Sequence, residues 1–154
     1  MIAIYKPEFE DLWFRREMLA DEETMSYNHA WGGTIDFPQE DWRGWFDHWL
    51  VYHSGKRFYR YIKNEDGAFV GEIAYHYDEE LKGYVANVIV FAKHRGRGYG
   101  GQALDILCFI AKENGVEYLY DDIAIDNPAI YMFFRHGFVE ESRNSEKIIL
   151  KKKL

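Results

Sequence analysis

Between Val88 and Gly101 the chain reads Val-Ile-Val-Phe-Ala-Lys-His-Arg-Gly-Arg-Gly-Tyr-Gly-Gly, and this stretch constrains the fold more than any other. It opens with a short apolar, β-branched run, the pattern of a buried strand. A basic cluster follows, Lys93, His94, Arg95 and Arg97, interleaved with glycines at 96, 98, 100 and 101. From Ala103 the apolar residues switch to a helical period, Leu104, Leu107, Cys108 and Ala111. The glycines therefore lie between a strand and the first turn of a helix. The first N–H groups of a helix have no partner inside it, and the aligned peptide dipoles add positive charge at the same end. Glycine lets a ligand approach the backbone and opens angles closed to other residues. Together these features form a cradle for phosphate, to which Arg95 and Arg97 add forked cationic donors.

Gly96-x-Gly98-x-x-Gly101 also satisfies the dinucleotide-binding pattern GxGxxG, which by itself is a weak signal. A doubly wound dinucleotide domain needs several further strand–helix units. Only 53 residues follow Gly101, enough for one helix, one strand, a short helix and a closing hairpin. The glycines also fall late in the chain instead of after its first strand. A nicotinamide-dependent oxidoreductase is disfavoured on both counts.

The stretch instead resembles the phosphate loop of the GNAT superfamily of acetyl-CoA-dependent N-acetyltransferases. That loop reads Arg/Gln-x-x-Gly-x-Gly/Ala and is met here by Arg95-Gly96-Arg97-Gly98-Tyr99-Gly100. A second signature of the family, Asn-x-x-Ala followed by a helix ending in Gly-Phe, is similar to the run from Asn127 to Phe138. Two departures stand out. Ala92 occupies the place of the proline in the upstream Val-x-Pro, and Asn127 is one residue closer to Ala129 than usual. The resemblance covers Phe69 to the C-terminus.

Taken in order, Ile2–Tyr5 is a short strand. A helix opening at Pro7 carries Phe9, Leu12, Trp13, Arg16 and Leu19 at helical spacing. Ser26 to Pro38 has neither period and contains Gly-Gly and Pro, so it reads as a loop. Gln39 to Tyr52 is a second helix with Trp42, Trp45, Phe46, Trp49 and Leu50 along one side. Strands follow at 57–62, 68–77 and 84–91, the second with Val70, Glu72, Ala74 and His76 on one face. The main helix spans Gly98 to Asn114 and ends at Gly115. A strand over 116–125, a short helix opened by Asn127-Pro128 and a hairpin around Arg143-Asn144-Ser145 complete the chain. The order β-α-α-β-β-β-α-β-α-β-β matches what the resemblance implies: an α+β fold, one domain over 1–154, whose central mixed, mostly antiparallel sheet is flanked by helices on both faces.

The formal charge of −7 argues against a nucleic-acid partner, and Lys151-Lys152-Lys153 reads as a solvated strand end. No run approaches the length of a membrane span or has signal-peptide character. The lone Cys108 reads as a core thiol, in keeping with a reducing compartment. The expectation is a cytoplasmic protein with no membrane partner. No histidine spacing suggests a metal. A homodimer is open, through an exposed strand edge or the aromatic N-terminal half.

The resemblance implies acetyl-CoA as co-substrate, its pyrophosphate on the amides of Arg95, Gly96, Arg97, Gly98, Tyr99 and Gly100. The pantetheine arm would run beside Val88, Ile89 and Val90, with the Val88 N–H toward the thioester carbonyl. Asn127, Phe133 and Phe134 would line the other side. An amine acceptor is mostly protonated in water, so a base helps. The candidates are Asp122, Asp121 and Glu72. Adjacent strand residues face opposite ways, so one of the two aspartates is expected in the site, with Asp122 favoured. Phe133 stands where these enzymes often carry a tyrosine acid, leaving Tyr99, a tyrosine of the early loop or solvent to protonate the leaving thiolate. Tyr27, His29 and Trp31 of that loop, or the tryptophan-rich helix after it, are candidates to cage a cationic amine, helped by Asp36 or Glu40. The expected activity is acetyl transfer to a primary amine of a small molecule or peptide by direct attack. A non-catalytic acyl-CoA-binding or sensing module is the alternative, favoured by Phe133.

Overall fold

The computed structural model describes residues 1–154. Its strands are β1 (Ala3–Tyr5), β2 (Arg57–Lys63), β3 (Phe69–Asp78), β4 (Gly83–Val90), β5 (Tyr118–Ala124), β6 (Val139–Arg143) and β7 (Lys147–Lys153). The helices are α1 (Leu12–Ala20), α2 (Gln39–Phe46), α3 (Tyr99–Glu113) and α4 (Ala129–Arg135). The strands form one sheet in the order β1-β2-β3-β4-β5-β7-β6. Every neighbouring pair is antiparallel except β4 and β5. The mixed, mostly antiparallel sheet and the element order are those expected.

Each sheet face carries its own core. On one, Ala103, Leu104, Leu107 and Ala111 of α3 and Ile130 and Phe133 of α4 pack on Ile73, Ala86, Leu119 and Ile123. On the other, Leu12, Phe14, Met18 and Leu19 of α1 and Trp42 of α2 pack on Tyr59, Tyr61, Ala74 and Ile89. Each fully buried Leu or Met contributes about 1.5–3 kcal/mol of transfer free energy. The stripe of α1 is rotated from the one expected. Phe14 and Met18 are buried beside Leu12 and Leu19, whereas Trp13 is half exposed.

β3 also departs from simple alternation. Ile62 pairs with Gly71 and Lys63 with Phe69, leaving Val70 as an extra residue in β3. This bulge turns Val70 toward α3 with Ile73 and Tyr75, so Val70 does not share a face with Glu72 and Ala74. Gln39–Phe46 is α-helical, but the expected helix continues as a π-turn over Asp47–Val51. The left-handed Gly115 (φ +86°) follows the end of α3. No helix is long and apolar enough to cross a membrane.

Candidate active site

β4 and β5 pair only at Tyr84–Leu119 and Val85–Tyr120. Beyond those pairs they diverge, and a cleft of about 900 Å³ opens within the plane of the sheet. Val88, Ile89 and Val90 form one wall, and Asp121 to Ala124 the other. The glycine loop closes one end, and α4 contributes Met132 and Phe133.

Backbone direction along β4 follows from two hydrogen bonds. The Phe91 N–H donates to Val70 O at 2.8 Å, toward β3. The C=O of the same peptide, on Val90, therefore points into the cleft, where it accepts from Arg95 Nε at 3.1 Å. In a strand a residue's N–H and C=O point the same way and alternate with those of the next residue. The Val88 and Val90 N–H groups thus face the gap that β5 has vacated.

The four loop glycines divide by purpose. Gly96 (φ +80°) and Gly98 (φ +79°) are left-handed, and Gly98 starts α3. A Cβ on Gly96 would meet nothing within 4 Å, and one on Gly98 would stand 3.8 Å from Gln102 Nε2. The space above these two amides is open. Gly100 and Gly101 instead serve packing: added Cβ atoms would lie 3.1 Å from Met132 Sδ and 2.9 Å from His136 Nε2.

The basic side chains of the loop do not all turn to the cradle. Arg95 donates from Nη2 to Thr24 O (2.8 Å) and from Nη1 to Glu23 O (3.4 Å), besides its bond to Val90 O. Its guanidinium ties the end of the early segment to the glycine loop. Thr24 Oγ1 reinforces that tie by accepting the Ala92 N–H at 2.8 Å. Arg97 is exposed and outside the cleft lining. Tyr99 reaches the lining, but its hydroxyl turns away to Glu65 at 3.1 Å.

Both Asp121 and Asp122 reach the cleft, where alternation led us to expect one. The gap lies in the sheet plane, so consecutive residues of β5 border it. Their environments differ sharply. Asp122 Oδ2 accepts from Lys147 Nζ at 3.0 Å, and its Oδ1 is buried without a partner. Asp121 Oδ1 accepts the Asp122 N–H at 2.7 Å, a donor that the departing β4 leaves free. Asp121 has no cation partner; desolvation pushes its pKa up to about 8, with the Asp122 N–H opposing and the Asp122 charge adding.

Glu72 lies outside the lining. It is buried, accepts from Tyr59 Oη and Asn87 Nδ2 at 2.7 Å each, and has Arg15 Nε at 3.8 Å. Burial raises its pKa, against the opposing pull of Arg15 and the two hydrogen bonds. Glu72 is linked to the cleft only through its hydrogen bond with Asn87, which does line it.

Tyr27, His29 and Trp31 all border the cleft, on a 3-10 turn over Ser26–Trp31. Asn28 holds the turn by donating from Nδ2 to Gly33 O at 2.8 Å. His29 Nε2 lies 3.2 Å from Asp126 Oδ2 on the opposite side of the mouth. The Tyr27 hydroxyl has no hydrogen-bond partner in the protein, and burial raises its pKa further above its ordinary value. Trp42, Trp45 and Trp49 pack on the α1–α2 core and, like Asp36 and Glu40, stay outside the cleft.

At α4, which starts at Ala129 with Pro128 and not Asn127 at the N-cap position, Asn127 Oδ1 accepts the Ala129 N–H at 2.9 Å from just outside the helix. Phe133 is buried against Phe138, ring centroids 5.0 Å apart, and borders the cleft. Phe134 is 40% exposed and points elsewhere. Sequence reasoning passed over Asn87, Asp126, Met132 and Lys147. Asn87, a polar residue inside an apolar run, was the one with a visible signal. Lys147 reaches Asp122 only through the β5–β7 pairing.

No curated protein matches the chain by sequence. Several solved structures share its fold. The spermidine N-acetyltransferase from Vibrio cholerae, in complex with CoA and spermine, superposes with a TM-score of 0.81 at 16% identity, over 99% of this chain and 95% of that one. The PaiA N-acetyltransferase from Thermoplasma acidophilum, in complex with coenzyme A, gives 0.71 at 17% identity over 100% and 99%. The GNAT-family acetyltransferase from Bacillus anthracis gives 0.75 at 19% identity over 99% and 94%. The sequence profile of the acetyltransferase (GNAT) family matches residues 4–138, and the chain belongs to that family.

Proposed function

We propose that the protein transfers an acetyl group from acetyl-CoA to a primary amine of a small molecule or peptide, by direct attack with both substrates bound. The observation that carries this reading is the cleft itself, with inward N–H groups of Val88 and Val90 on one strand and a cation-free carboxylate, Asp121, on the other. Acetyl-CoA would supply the acyl group as an activated thioester. The open amides of Gly96 and Gly98 at the start of α3 suit its diphosphate, and the free edge of β4 suits its pantetheine amides.

Asp121 takes the proton from the incoming ammonium. Its pKa of about 8 lies close to the operating range in which a general base is most useful. The Val88 N–H stabilises the charge that develops on the carbonyl oxygen, a contribution of about 3 kcal/mol for one preorganised donor. Tyr27, a cleft tyrosine with a free hydroxyl, donates to the leaving thiolate in place of the tyrosine that Phe133 replaces. Asp121, Asp122 and Asp126 give the cleft an acidic lining suited to a cationic amine, which makes polyamines and other small amines the first acceptors to try.

The buried Phe133 favours a second reading, a module that binds acyl-CoA without turnover. Thiol release from acetyl-CoA against a panel of amines decides between the two. Turnover that a Gly98→Trp variant loses supports the transferase. Tight binding of acetyl-CoA without thiol release for any amine supports the module.

A further inference from the structure

A second cavity, of about 450 Å³, opens at the free edge of β2 and includes no residue of the glycine loop. β1 ends opposite Tyr61, so the edge from Arg57 to Arg60 has no strand beside it. The chain carries 26 acidic and 19 basic side chains other than histidine. Yet the cavity is lined by Lys6, Arg57 and Arg60, with His53 beside them, and by no carboxylate. None of the three strong cations belongs to an ion pair of the protein. A group of like charges without a counter-charge costs free energy through mutual repulsion, most of all where water is partly excluded.

The donors left open define what the cavity can hold. Arg57 donates from Nε to His48 O and from Nη2 to Tyr52 O, both at 2.9 Å, which fixes the guanidinium and leaves Nη1 free. Arg60 donates from Nη1 to Tyr59 O at 2.7 Å and lies 4.6 Å from the Phe58 ring centroid. Its Nε and Nη2 remain unengaged. Burial disfavours the Arg60 charge, and only the Tyr75 phenol acts in the other direction. Two restrained guanidiniums and an exposed ammonium match an anion with several oxygens, because a guanidinium fork pairs with planar or tetrahedral oxyanions two bonds at a time. The volume exceeds the need of a monovalent ion, and Trp49 and Phe58 add an apolar wall.

We propose that this edge cavity is a second ligand site, which binds a small polyvalent oxyanion, a phosphorylated or polycarboxylate metabolite, through Lys6, Arg57 and Arg60. The site shares no residue with the acetyl-transfer cleft, so it stands whether or not the transferase reading does.

Calorimetric titration with inorganic pyrophosphate and, separately, with citrate tests it, on protein already saturated with coenzyme A so that the glycine loop is occupied. Arg57 is left unchanged because it holds two carbonyls. The expected result is saturable binding of at least one probe, one per chain, weakened tenfold or more by Arg60→Gln and by Lys6→Glu and reduced by added salt. Lys6 is exposed, so Lys6→Glu reports on the site without disturbing the core, and unchanged coenzyme A affinity checks that both variants are folded. Binding of pyrophosphate alone assigns a phosphorylated ligand, and binding of citrate alone a polycarboxylate. Absence of binding for both probes, or binding that either variant retains in full, overturns the proposal.

Discussion

Lys147 Nζ donates to Asp122 Oδ2 at 3.0 Å, while Asp121, one residue earlier on β5, faces no cation. One ion pair thereby separates two adjacent acids. Asp122 is engaged by the Lys147 ammonium. Asp121, desolvated and unpaired, is free to exchange a proton near neutrality.

Replacing Asp121 by Asn is expected to lower kcat by about 10²-fold or more, the usual range for loss of a general base. Activity requires the deprotonated carboxylate, so wild-type kcat should rise with pH through about 8, and the variant should lack that limb. Stability carries the opposite sign. A raised folded-state pKa means the folded protein holds a proton that the unfolded chain has lost, so this contribution to stability falls as pH rises from about 4 to about 8. Melting curves at pH 5 and pH 9 should show a smaller loss for Asp121→Asn than for wild type. An unchanged pH–rate profile in the variant would remove Asp121 from the base role.

Tyr27 and Phe133 form a second testable pair. Tyr27→Phe should lower kcat about 10²-fold with little change in the KM for acetyl-CoA, the lower end of what a positioned general acid contributes. Phe133→Tyr places a phenol where the family often has one, and should restore most of that loss in the Tyr27→Phe background. Steady-state kinetics on the two single variants and the double variant check this. Additive effects, with no rescue, would separate Tyr27 from thiolate protonation.

Arg95 and Arg97 should behave differently. Arg95→Ala frees the carbonyls of Glu23, Thr24 and Val90 and unties the early segment from the loop. A loss of about 1–2 kcal/mol is expected, in the range for a hydrogen-bonded charged group, together with a raised KM for the amine as well as for acetyl-CoA. Arg97→Ala removes an exposed side chain and should change stability by less than about 0.5 kcal/mol. Thermal melts with bisubstrate kinetics distinguish the two. Equal effects would mean that Arg95 acts as a plain phosphate ligand.

The glycines give a fourth contrast. Gly98→Ala puts a Cβ on a left-handed residue, at a cost of about 1–2 kcal/mol, and narrows the cradle, so coenzyme A affinity should fall. Gly101→Ala would press on His136, whose Nδ1 lies 2.7 Å from Asp105. That variant should lose stability while coenzyme A affinity, corrected for folding, stays near wild type. Differential melts with and without coenzyme A report both quantities.

What the sequence determined was local. The switch from a strand period to a helical period around Gly96–Gly101 placed the loop at the start of α3, since the need for free amides and left-handed residues is written in the glycines. The Asn127-Pro128 pair marked the start of α4, and hydrophobic periodicity located most elements. Non-local relations decided the rest. The divergence of β4 from β5 after Val85–Tyr120 brought both aspartates to one gap. The Val70 bulge depends on pairing with β2, so the facing of β3 was not readable from β3 alone. The roles of Arg95 and Asp122 were set by carbonyls 71 and 72 residues away in sequence and by a lysine 25 residues away. Spacing along a chain fixes backbone direction and face within an element. A side chain's partner, and with it the charge state of Asp121, is decided only when the strands come together and exclude water around it.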